Sequence, residues 1–119
     1  MTEAFRVLAG AGTFTPPGAG ATHWVEHLRT AHFSIGTYSI PAGGVDGQSP
    51  HREDEIYVVT SGAATLDVDG HPVPVAAGSV VFVAAHAPHS FVDITEDLVT
   101  VVLFAPPETV AREAHEVSI

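Results

Sequence analysis

The sequence predicts an all-β domain, a sandwich or barrel, with a jelly roll the natural form for one domain of 119 residues. Three observations carry this. Short runs alternate apolar and polar residues, and turn signals separate them at intervals of about eight to twelve residues. Gly and Pro, 11 and 9 in number, are frequent enough to punctuate many turns. No convincing helical pattern precedes residue 108. Apolar residues make up 45% of the chain, which supports a packed core and argues against disorder. The length allows one domain and not two.

Taken in order, Phe5-Arg6-Val7-Leu8 reads as a short strand, and the Gly/Pro/Thr segment after it as loop or irregular edge. His23 to Leu28 alternates like a half-buried strand. With Trp24 toward the core, His23 and His27 share the opposite parity and face solvent or a neighbouring subunit. Ala31–Ile40 is the next strand, ending at the turn Pro41-Ala42-Gly43-Gly44. The run Ile56-Tyr57-Val58-Val59 and the alternating Ala63–Val68 follow. Asp69-Gly70 is the strongest hairpin turn in the chain, because both residues tolerate positive φ. In the returning segment Pro72 and Pro74 cannot donate to a ladder, which predicts an edge. His71, beside the turn, is expected to be exposed. Ser79–Ala84, rich in β-branched residues, reads as a strand buried on both faces. Ser90–Ile94 and Leu98–Phe104 complete eight or nine strands, and Pro106-Pro107 stops the last one ahead of a polar tail with a helical turn or two. The expected organisation is an N-terminal strand-and-loop segment at 1–30, packing on the barrel or on a dimer partner, a barrel core at 31–105 and a tail at 106–119.

Composition excludes several classes of function. The formal charge is −10, and the four basic residues Arg6, Arg29, Arg52 and Arg112 stand singly, so no basic footprint for nucleic acid exists. The absence of cysteine removes disulfides, thiolate-bound zinc and cysteine nucleophiles. No signal-peptide pattern opens the chain, and the apolar stretch Val73–Pro88 is too short and interrupted to cross a membrane. A soluble cytoplasmic protein is the expectation.

The chemistry concentrates in Gln48–Gly62, QSPHREDEIYVVTSG. On an extended strand, residues an even number apart share a face. His51 and Glu55 can therefore point into one cavity, with Tyr57 continuing that face. A neutral imidazole and a carboxylate are half of a mixed N/O site for a divalent metal. Glu53 and Asp54 read as a solvated turn beside Arg52. Gly10, Gly12, Gly18 and Gly20 lack the strand-to-helix context of a phosphate loop.

In these residues the sequence resembles the cupins, small barrels whose two motifs each supply metal ligands from inward-facing strands. The first motif, G(x)5HxH(x)3,4E(x)6G, places Gly43, Ser49, His51, Glu55 and Gly62 at its fixed positions, with Ser49 where a histidine is usual. The second, G(x)5PxG(x)2H(x)3N, places Gly78, Ala84, His86, His89 and Asp93, so its Pro and middle Gly are replaced and its Asn becomes Asp. The resemblance implies a cupin-type jelly-roll barrel with His51, Glu55 and His89 as ligands of a divalent ion. Iron, manganese, nickel and zinc all suit two imidazoles and a carboxylate with open positions. Water, or Gln48 if Pro50 kinks the strand, would complete the coordination that Ser49 cannot.

Around that set, Ser49, Tyr57 and Phe91 are expected to line the cavity, and His86 is the candidate general base at the barrel mouth. Asp93 is a candidate for hydrogen-bonding a ligand, or simply a polar residue at a strand end. Two functions follow from the resemblance. One is a metal-dependent enzyme, oxygenase- or isomerase-like, acting on a small organic molecule. The other is a non-catalytic small-molecule binder or sensor with weak or no metal. A homodimer is expected, as in many cupins.

Overall fold

A computed structural model describes residues 3–47 and 50–109. The described chain is all-β: β1 (His23–Arg29), β2 (Ser34–Ile40), β3 (Asp54–Val68), β4 (His71–Ala76), β5 (Val80–Val83) and β6 (His89–Ala105). All pairings are antiparallel, in the order β1-β2-β6-β3-β4, with β5 pairing the first residues of β3 on the edge that β4 pairs further along.

The expected eight or nine strands become six among the described residues because two pairs of them fuse and Phe5–Leu8 forms no strand. The runs before and after Gly62 form one strand, β3, and Ser90–Ile94 joins Leu98–Phe104 in β6. β3 and β6 pair along most of their length, from Asp54↔Ala105 to Val68↔His89, with register shifts between Val59 and Thr65. These irregularities bend the pair without breaking its ladder, as β-bulges do. Gly62 stands there with φ 91, and a Cβ on it would meet the Asp97 carbonyl oxygen at 2.2 Å. Glycine at this motif position is therefore a steric requirement.

The Asp69-Gly70 turn forms as expected, both residues at positive φ, and closes the β3–β4 hairpin. β4, with its two prolines, lies at the sheet edge. Three expectations need correction. Phe5–Leu8 is not a strand; it pairs with nothing among the described residues, so its backbone groups have no ladder to enter, and Phe5 and Val7 are 80% and 79% exposed. β5 is buried on one face only: it pairs solely with β3, Val83 points inward, and Val80 and Phe82 remain exposed. His27 does not face solvent freely. It keeps the outer face, opposite Trp24, but is half-buried there: His27 Nε2 lies 2.7 Å from Thr37 Oγ1, against which the N-terminal loop also packs.

Inside, Leu66, Leu98, Ile40, Val59 and Val102 form the core with Tyr57 and Phe91, whose rings meet edge to face at 5.0 Å. Trp24 caps this interior through edge contacts with Tyr38 and Phe104. It lies over Gly36, where a Cβ would come within 2.4 Å of the indole. The loop after Phe5–Leu8 packs on the outer face, Gly12 N–H donating to Thr37 Oγ1 and Thr15 N–H to Ser39 Oγ.

Candidate metal centre

Strand alternation delivers the first two candidate ligands. From His51 to Tyr57 the odd-numbered residues are buried and the even-numbered ones exposed, so His51, Glu53, Glu55 and Tyr57 share the inner face. Glu53 is thus no solvated turn residue: it is 3% exposed, against expectation, because the alternation of β3 begins before its first ladder pair. Asp54, on the outer face, accepts the Ala85 N–H and ties down the loop before β6. His89 opens β6 opposite Val68 and brings the third ligand from the other motif.

Ligand atoms of His51, Glu55 and His89 all lie within 4.8 Å of one another, and all three residues are buried. His89 Nε2 lies 2.9 Å from Glu55 Oε1 and 3.1 Å from the Tyr57 hydroxyl. The Ala87 carbonyl, 2.8 Å from His89 Nδ1, can only accept, so Nδ1 carries a proton and Nε2 is the nitrogen turned to the site. A fixed tautomer of this kind is what a metal-ligating histidine needs. Among the described residues Glu55 Oε2 is buried with no hydrogen-bond partner, an arrangement that costs free energy unless a cation or polar ligand meets it. Two imidazoles, a carboxylate and an orphaned carboxylate oxygen fit a divalent ion.

The electrostatics follow from burial among carboxylates. Desolvation pulls the His51 imidazole below its ordinary value, with Glu55 acting in the opposite sense. Burial also acts downward on His89, but the Glu55 hydrogen bond, the Ala87 carbonyl and the Glu55 charge outweigh it, and the net shift is upward. Glu108, in the segment after β6, is 3% exposed, its Oε2 3.3 Å from His51 Nδ1. Burial, then the charges of Glu55 and Glu53, push its carboxyl up to about 8. Glu53 Oε2 accepts from the Thr109 hydroxyl, while Oε1 is buried without a partner.

The remaining sequence candidates are distributed as follows. Phe91 is buried in the core and meets the Tyr57 ring edge to face. His86 is exposed in the β5–β6 loop at φ 69, its N–H donating to the His51 carbonyl, so this loop is tied to the segment ahead of β3 that bears the first candidate ligand. Asp93 is exposed on β6 at φ 49. Gln48 and Ser49 lie outside the described residues. A cleft of about 350 Å³ is lined by Asp46, Gly47, Pro50, Asp67, Pro88 and His89. Asp46, Glu53 and Glu108 were not singled out from the sequence. Asp46 is 9% exposed and latches the loop ahead of His51, accepting the Tyr38 hydroxyl at 2.6 Å and the Phe91 N–H at 2.8 Å. An acid after a Gly-Gly turn carries no signal of such a role. For Glu53, the parity with His51 and Glu55 was the available signal.

Residues 36–117 match the cupin domain family (Cupin_2). The chain belongs to that family. It is 44% identical over 86 residues to an uncharacterized protein of Streptomyces coelicolor, a match covering 72% of this chain and 82% of that one. Among solved structures it resembles an RmlC-like cupin from Shewanella frigidimarina, with TM-score 0.67, 19% identity, and 79% and 90% of the two chains covered. It also resembles a chain from the crystal structures of the DMSP lyases RdDddP and RnDddQII, with TM-score 0.64 and 25% identity. That match covers 71% of this chain and 47% of the lyase chain. No helix among the described residues is long and apolar enough to cross a membrane.

Proposed function

We propose that the chain is a metal-dependent enzyme that converts a small organic molecule in the barrel cavity. The observation that carries the reading is the convergence of His51, Glu55 and His89 within 4.8 Å, with Glu55 Oε2 buried and otherwise unsatisfied. The structural likeness to DMSP lyases supports a catalytic use of the fold, although a fold alone does not choose a reaction. A bound divalent ion would supply Lewis-acid polarisation of a carbonyl or carboxylate oxygen.

The protein's own contribution is positional. His51, Glu55 and His89 would hold the ion. The Tyr57 hydroxyl, 3.1 Å from His89 Nε2, is a protic group beside the ligand set. Phe91 and the apolar core behind it exclude water from the inner wall, and the cleft beside His89 admits the substrate. His86, exposed on the mouth loop, is the proposed acid–base group for substrate protons outside the buried set. Ser49, in place of the motif histidine, favours the second reading, a binder or sensor with weak metal affinity.

The deciding test is metal content by elemental mass spectrometry after reconstitution, beside His51→Ala and His89→Ala. Near-stoichiometric iron, manganese, nickel or zinc that disappears in both variants supports the centre. No retention by the wild type refutes it.

We also propose a cytoplasmic homodimer. Phe82, Ile56, Leu103 and Ile35 are register neighbours across four strands, and Val80, Val58 and Val101 form the adjacent row. Phe82 and Val80 are 61% and 65% exposed on that outer face, an apolar surface of the kind that partners cover. A monomeric mass by light scattering would overturn the dimer.

A further inference from the structure

Among the described residues, the buried charge of this protein is of one sign. Asp46, Glu53, Glu55 and Glu108 are each 9% exposed or less, and no arginine is buried with them. The chain has no lysine. Of its arginines, Arg6 pairs with Glu3 on the surface, Arg52 is exposed, and Arg112 lies outside the described residues. Arg29 is close enough to feel the charges of Glu53 and Glu108. Its guanidinium, however, donates to the Glu26 carboxylate at 2.7 and 3.1 Å and to the Glu108 carbonyl at 2.6 Å, so Glu26 already neutralises it.

A divalent ion does not reverse this balance. Its two positive charges meet three carboxylates, Asp46, Glu53 and Glu55, and Glu108 adds no charge while it holds its proton. Two buried carboxylate oxygens, Glu55 Oε2 and Glu53 Oε1, have no hydrogen-bond partner among the described residues. The ion accounts for the first. The second remains an unneutralised charge in a poorly screened interior. The cleft that shares His89 with the ligand set carries the same sign, with Asp46 and Asp67 in its walls. Asp46 accepts from the Tyr38 hydroxyl and the Phe91 N–H, and Asp67 from the Gly70 N–H. Those neutral donors orient the carboxylates without cancelling their charge. A cleft lined by one sign repels a ligand of that sign, and a buried anion with no cation to pair is costly.

We propose that the site takes an uncharged or cationic small molecule and rejects carboxylates and phosphates, with Asp46, Glu53, Glu55 and Asp67 setting that choice by charge. The inference rests on the metal-dependent reading above and narrows its substrate class.

The test uses two probes of one shape, pyridine-3-carboxamide and pyridine-3-carboxylate, which offer a metal the same ring nitrogen and differ in charge. Their affinities for the cobalt(II)-loaded protein are read from the visible spectrum of the ion. The carboxylate is expected to bind at least about tenfold more weakly than the amide. Asp67→Asn keeps an oxygen for the Gly70 N–H, and Glu53→Gln keeps one for the Thr109 hydroxyl. Each should narrow the gap about threefold or more. Glu96→Gln removes an exposed charge outside the cleft and should leave the gap as it is, which separates the local field from net charge. A carboxylate that binds as tightly as the amide overturns the proposal. So does a gap that neither Asp67→Asn nor Glu53→Gln narrows, or a cobalt centre that neither probe perturbs. A wild type that takes up no cobalt overturns the metal centre and this proposal with it, whereas the other failures leave the metal centre standing.

Discussion

Replacing Glu108 by glutamine should change how the metal-free protein responds to pH. In the fold this carboxyl is buried beside Glu53 and Glu55 and holds its proton up to about 8, against 4.5 as the ordinary value. The sign follows from proton counting. Between those two values the native state binds more protons at this site than the unfolded chain, so stability falls as pH rises through the window. A single group changes stability by at most about 1.4 kcal/mol per pH unit there. Relaxation of the segment and response of the adjacent His51 reduce the full effect to roughly 2–4 kcal/mol by pH 8 to 9. Glutamine keeps the shape without the titration. Urea unfolding in chelator at pH 4, 6.5 and 8.5 should therefore show the two proteins similar at pH 4. The variant should gain steadily above that. A difference that does not vary with pH, or that favours glutamate at pH 8.5, would refute the placement of this carboxyl in a buried acidic cluster.

Further predictions concern the metal and the backbone. Metal affinity should rise between pH 6 and 8, because protons compete for imidazole and the shift on His89 is upward, so its proton must be displaced above the ordinary histidine value; isothermal titration with cobalt at three pH values checks this. Gly62→Ala should cost about 2–4 kcal/mol, combining left-handed backbone strain with the approach to the Asp97 carbonyl, measured by denaturant unfolding. Leu66→Ala, at a fully buried position, should cost about 2–5 kcal/mol in the same assay without moving metal affinity by more than a few-fold.

Local chemistry made much of this protein legible. The period of two placed His51, Glu55 and Tyr57 on one face before any strand partner was known, and the same rule, applied strictly, also assigns Glu53 to that face. It was misread because adjacent charges, Arg52 and Asp54, resemble a solvated turn. The hairpin at Asp69-Gly70 and the edge position of the Pro72/Pro74 strand rest on backbone constraints that act within a few residues, and both formed. Parity gave His27 its face but not its cover, the Thr37 hydroxyl of the neighbouring strand, and strand number failed because bulges at Gly62 bend a ladder that composition reads as interrupted.

What the sequence alone determined is therefore the β class, the cupin resemblance and the three residues His51, Glu55 and His89, since each depends on local alternation or motif spacing. Only the tertiary structure decided that β3 and β6 pair along most of their length, that Asp46 latches the entrance loop to Tyr38 and Phe91, and that Glu108 is clamped by Arg29 and Ser34 beside His51. Those contacts join residues far apart in the chain. Their energies come from burial and desolvation, which no local pattern encodes.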